Sequence, residues 1–168
     1  KYIWDPGQQC ARMDGAQLKD GIVGAHIVIC NDYEFELIRQ KTGMQEADVL
    51  AVASALLITR GEHGSTVITR DQRIDVAAVP PERIVDPTGV GDAFRGGLMK
   101  GLASGRSLEV SARMGSVAAT WALSTMPLTR CRSVSICLMR AAICCCSSCR
   151  LRISALRRSE VSVSPSTF

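Results

Sequence analysis

In the stretch DPTGVGDAFRGG, residues 86–97, an aspartate follows Gly-Val-Gly, where a carboxylate and bare peptide N–H groups can meet. Phe94, Leu98 and Leu102 recur at four-residue spacing, which predicts a helix over about 91–104 with Gly105 as its C-terminal stop. The two glycines then lie at the start of that helix. A helix N-terminus carries unpaired N–H donors and about half a positive charge, and glycine lets an anion approach the backbone closely. A carboxylate repels a phosphate held there, so simple phosphate binding gives no reason for Asp92. The combination suits transfer: a hydroxyl loses its proton to Asp92 while the helix end offsets the charge that develops. A plainer role is also open, in which Asp92 caps the helix or complements its dipole. Neither common nucleotide-loop pattern is present, because no Gly-Lys-Ser/Thr follows and Phe94 occupies the third glycine position of G-x-G-x-x-G.

Two other stretches bear on the same chemistry. In NDYE, residues 31–34, Asn31 as N-cap and Glu34 three positions later form the pattern of a capping box. In ITRGEHG, residues 58–64, a strand runs into a glycine-rich turn, and turn geometry alone explains Gly61 and Gly64. His63 reads as an exposed turn residue and His26, heading an apolar strand, as structural; no Ser-His-Asp or metal-ligand set assembles around them.

These residues need elements to position them. KYIW reads as a strand ended by Asp5-Pro6-Gly7, and a chain seldom begins inside a strand, which suggests further sequence ahead of Lys1. A helix is expected from about 14 to 22, a strand over 26–30, a helix from 32 to about 42, another through 45–55, and a strand in ALLITR. STVITR and RIDVAAV, separated by Asp71-Gln72, suit a hairpin; IVD at 84–86 reads as a short strand, and helices follow over about 91–104 and 107–123. Strands alternating with helices imply an α/β fold with a mainly parallel sheet and a crevice at the carboxyl ends of its strands. Asn31, Gly61 and Asp86 each follow directly on an expected strand there.

DPTGVGDAFRGGL closely resembles the C-terminal signature of the PfkB family of carbohydrate and nucleoside kinases, which includes ribokinase and adenosine kinase. The resemblance implies a ribokinase-like sandwich with helices on both faces of the sheet. It gives Asp92 the role of catalytic base and Gly89, Val90 and Gly91 that of anion hole, with Val90 where Ala is usual. NDYE resembles the family's N-x-x-E motif, implying that Asn31 and Glu34 support magnesium and phosphate through water. ITRGEHG resembles T-x-G-x-x-G, which implies that Thr59, Gly61 and Gly64 lie beside the nucleotide, and Asp86 resembles a position near a monovalent cation such as K+. ATP and Mg2+ are the implied cofactors, a sugar or nucleoside the small-molecule partner, and a homodimer the assembly in the full-length family. The wording leans toward adenosine-kinase-like or ribokinase-like members. The resemblance covers about residues 1–123 as the C-terminal part of the domain and implies that the N-terminal half and lid strands are missing.

Composition changes abruptly near Trp121. All fourteen glycines lie at or before Gly115, and the last 47 residues contain neither Gly nor Lys. Residues 1–121 carry 13 basic and 15 acidic residues, whereas 122–168 carry seven Arg and one Glu, so the formal +4 combines an acidic body with a basic tail. Six of the eight cysteines lie between Cys131 and Cys149. Residues 124–168 therefore read as an aberrant Cys/Ser/Arg-rich tail, out of frame or disordered. Cys146 and Cys149 have no second pair to complete a zinc site, and the Arg-rich end offers only Phe168 for stacking, so neither zinc nor nucleic acid is expected. With no opening signal peptide and no apolar run of the ~18 residues a membrane span needs, the body reads as cytoplasmic, off the membrane and with reduced thiols. The reading is thus an ATP-dependent kinase chain, truncated and poorly active. The alternative is a non-catalytic remnant that binds nucleotide or phosphate, with an exposed sheet edge that invites aggregation.

Overall fold

The computed structural model describes residues 2–124 and 150–152. Its sheet has the order β5-β4-β3-β2-β1-β6, built from β1 (Tyr2–Trp4), β2 (Ile27–Asn31), β3 (Ala55–Thr59), β4 (Ser65–Ile68), β5 (Arg73–Val76) and β6 (Arg150–Arg152). The helices are α1 (Gly15–Ile22), α2 (Asp32–Thr42), α3 (Glu46–Val52), α4 (Val90–Ala103) and α5 (Leu108–Ser124). The parallel pairing is confined to the centre, β1 with β2 and β2 with β3. The β3–β4, β4–β5 and β1–β6 pairs are antiparallel, so the sheet is mixed. The ITRGEHG turn and the Asp71-Gln72 turn reverse the chain too tightly for a crossover, which is why β4 and β5 run antiparallel.

Strands buried on both faces read as unbroken apolar runs, and IVICN and ALLIT do. Along β2, Val28 and Cys30 enter one core with Trp4, Leu18, Ile22, Ile38 and Val49, while Ile27 and Ile29 enter the other with Phe94, Leu98 and Ala112. Helices α1 to α3 therefore cover one face, and α4 and α5 the other.

The α4–α5 contact is made backbone to backbone. A Cβ at Gly97 would lie 2.5 Å from the Met114 carbonyl oxygen and 2.8 Å from Gly115 Cα. These are backbone atoms and cannot swing aside. Gly97→Ala is therefore expected to destabilise the fold, since overpacking of about 1–3 kcal/mol exceeds the gain of about 1 kcal/mol that Ala brings to a helix. A lower urea midpoint than the parent's checks this; an unchanged or higher midpoint contradicts it.

The expected strand at 84–86 does not form. Pro80-Pro81 and Pro87 bracket it and deny it a run of ladder donors. Its Val85 N–H instead donates to the Leu123 carbonyl at the end of α5, and Ile84 is 71% exposed. The expected helix through 45–55 ends at Val52, and the strand in RIDVAAV at Val76. The reading of 124–168 as an aberrant tail, and the Cys146–Cys149 pair with it, falls almost wholly outside the described residues; within them, 150–152 form β6 against β1. Among the described residues no helix is long and apolar enough to cross a membrane, and no cluster of metal ligands is found.

Candidate active site

Because β1, β2 and β3 are parallel, their carboxyl ends share one edge of the sheet. Asp5 directly follows Trp4 of β1, Asn31 ends β2, and Thr59 ends β3 in register with Asn31. The Thr59 hydroxyl donates to the Cys30 carbonyl at 3.5 Å. Helix α4 is drawn to the same edge by Arg95, whose guanidinium donates from Nε and Nη2 to the two oxygens of Asp5, the latter at 3.1 Å.

At the start of α4, Gly89 is the N-cap with φ 80°, a left-handed conformation that favours glycine. By helix geometry, the N–H groups of Val90, Gly91 and Asp92 have no acceptor within α4. Asp92 is the third residue of the helix and the acidic residue of its first turn. Its carboxylate, 62% exposed, accepts from Arg95 Nη1 at 3.3 Å. Its charge complements the helix dipole there, and an accessible carboxylate stands beside three donors.

The capping box of NDYE is formed in full. Glu34 N–H donates to Asn31 Oδ1 at 2.7 Å, and Asn31 N–H donates to Glu34 Oε2 at 2.9 Å. Glu34 is buried, and its charge contributes to raising the Arg95 pKa. Gly64 has a packing reason of its own, since a Cβ there would lie 2.1 Å from the Val76 carbonyl oxygen, whereas Gly61 faces open space. Asp86 is partly exposed and accepts from Thr88 N–H at 2.8 Å. Hydrogen bonds from the Thr88 side chain first and its backbone second hold this carboxyl below its ordinary value.

Asp5 and Arg95 are the site residues that motif reading did not single out. Burial holds the Asp5 carboxyl above the ordinary range, outweighing Arg95 and the Gly7 N–H. Burial also works against the Arg95 charge, yet Asp5, then Asp92 and Glu34, together raise its pKa. The two-point contact favours the ionised pair, because it asks for an acceptor on each carboxylate oxygen. A faint signal was present: an Asp ending the first strand, and an Arg three residues after Asp92 and four after Gly91.

Cys10 and Cys30 are buried free thiols. Burial, then the charge of Glu34, raises both pKa values, Cys30 well above its ordinary value. Thiolate is the reactive form. Mass mapping after iodoacetamide at pH 8 is therefore expected to find both unmodified in the native chain and modified in urea; rapid native labelling of either contradicts this burial.

Residues 8–133 match the model of the pfkB family carbohydrate kinases, and the chain belongs to that family. It is 29% identical over 118 residues to a nucleoside kinase of Methanocaldococcus jannaschii, covering 70% of this chain and 39% of that one. The fold is similar to Burkholderia thailandensis nucleoside kinase in ligand-free form, with TM-score 0.71 and 42% identity over 74% of this chain and 41% of that one. Against the same kinase in complex with ADP-inosine the TM-score is 0.73 and the identity 37%, over 83% of this chain and 45% of that one. The chain therefore spans about two-fifths of the length of these relatives. Kinases of the family are phosphotransferases, and the architecture described above is the corresponding part of the ribokinase fold.

Proposed function

We propose that this chain carries the phosphoryl-transfer centre of an ATP-dependent kinase whose acceptor is a hydroxyl of a nucleoside or a related sugar. The observation that carries the proposal is the exposed Asp92 carboxylate in the first turn of α4, beside N–H groups free of intrahelical partners. The acceptor oxygen attacks the terminal phosphorus of ATP, the bond from that phosphorus to the bridging oxygen breaks, and ADP leaves. Asp92 takes the hydroxyl proton, and the amides of Gly89, Val90 and Gly91 stabilise the charge on the transferring group. A nucleoside acceptor is favoured because the structural relatives described above are nucleoside kinases, one of them bound to ADP-inosine.

Thr59 and Gly61 form the nucleotide side of this centre, with Gly64 shaping the turn. The oxygen donors of Asn31 and Glu34 suit magnesium. Their capping bonds use one lone pair on each of two oxygens, and a carboxylate offers about four such sites, so Glu34 keeps capacity for a water-mediated contact. Bound there, the metal would neutralise phosphate charge. Asp86 is the proposed neighbour of a monovalent cation. Residues 1–123 are the proposed kinase part, and the cytoplasm the proposed compartment.

The test is ADP release with a panel of nucleosides and sugars, run beside Asp92→Asn. Nucleoside-dependent turnover that is lost in the variant supports the proposal. ADP binding without turnover favours the non-catalytic remnant, and turnover equal in parent and variant removes Asp92 as the base.

A further inference from the structure

We propose that Arg95 is the positioning residue for Asp92, holding the carboxylate in one orientation by bridging it to the buried Asp5 at the end of β1. This rests on the proposed role of Asp92 as base. At 62% side-chain exposure on the third residue of a helix, Asp92 has little packing to choose among the staggered rotamers that the helix backbone allows. Its recorded hydrogen bond is the one from Arg95 Nη1 at 3.3 Å. That donor belongs to a guanidinium already paired on its other side. Asp5, 12% exposed, takes Nε and Nη2 of the same planar guanidinium, so the direction of Nη1 is set by the Asp5 contact.

Gly91 completes the device. A Cβ at 91 would lie 2.9 Å from Arg95 Nη1, so the glycine gives the guanidinium its place over the first turn of α4. Gly91 thereby serves two ends, opening the backbone to an anion and admitting the arginine that aims the base. The two legs differ in strength. The Asp5 leg is desolvated and two-pointed, whereas the Asp92 leg is long and exposed, the kind of contact worth little stability. Its effect is on orientation, where a misplacement of about 1 Å can cost about 100-fold in rate.

The test uses Arg95→Lys, which keeps the charge and the pairing with Asp5 but cannot span both carboxylates, and Asp5→Asn, which releases the guanidinium. In the full chain, the three-bond N–Cγ and C′–Cγ couplings of Asp92 are expected to report one rotamer in the parent and averaging in both variants. Nucleoside turnover should lose about 10-fold to about 100-fold in kcat with KM within about twofold, and the double variant should lose no more than either single. An averaged Asp92 in the parent, an unmoved rotamer in both variants, or losses that multiply in the double variant would overturn the proposal. Failure of the kinase reading shows differently, as Asp92→Asn turning over like the parent, and the couplings still decide the role of Arg95 in that case.

Discussion

Asp92→Asn is expected to leave the fold and ADP binding intact while lowering phosphoryl transfer to a nucleoside by between about 100-fold and about 10,000-fold, the usual contribution of a positioned general base. Asn is nearly the same shape and keeps an oxygen for Arg95, but it cannot take a proton. Because the carboxylate is largely exposed and its one recorded bond is long, little stability depends on it. The expected signature is therefore a fall in kcat with the KM for ATP and the urea midpoint close to the parent's. Steady-state kinetics with the most active nucleoside of the panel check it; retention of kcat within about tenfold contradicts it.

The second large effect is on stability. Arg95→Met removes the partner of a buried carboxylate, and breaking such a pair costs about 3–5 kcal/mol when both groups are desolvated. A quarter of the Arg95 side chain reaches solvent, which brings the expected loss below that range, to about 2–3 kcal/mol. Adding Asp5→Leu removes the stranded charge as well, and the double variant is expected to recover to within about 1 kcal/mol of the parent. Urea unfolding of the parent, single and double variants measures this. A double variant no more stable than Arg95→Met would mean that the pair is not desolvated as described.

Local signals carried the helices well, because their ends are written in adjacent residues. Asn31 and Glu34 define the start of α2 and Gly43 its end, and the observed helix runs from Asp32 to Thr42 as the spacing predicts. The apolar runs of β2 and β3 likewise follow from burial on two faces. The antiparallel β4–β5 pair was legible as a hairpin across Asp71-Gln72, whereas the antiparallel β3–β4 and β1–β6 pairs were not, since strand direction depends on how connections cross rather than on the residues within a strand. IVD shows the limit from the other side: its composition suits a strand, but its backbone pairs with the end of α5. At the site, Gly89 to Asp92 stood out because contiguous residues carry the pattern. Asp5 and Arg95 did not, because 90 positions separate them and only folding brings them together.

The account depends most on where a phosphate meets the backbone. Titrating the 15N-labelled chain with the magnesium complex of a non-hydrolysable ATP analogue, which carries the terminal phosphoryl group, tests it without requiring turnover, through the amide resonances of Gly89, Val90, Gly91 and Asp92. These four are expected to move most and to saturate together with those of Thr59 and Gly61. Perturbations centred elsewhere, with the first turn of α4 unmoved at saturation, would contradict the assignment of that helix start as the phosphoryl site.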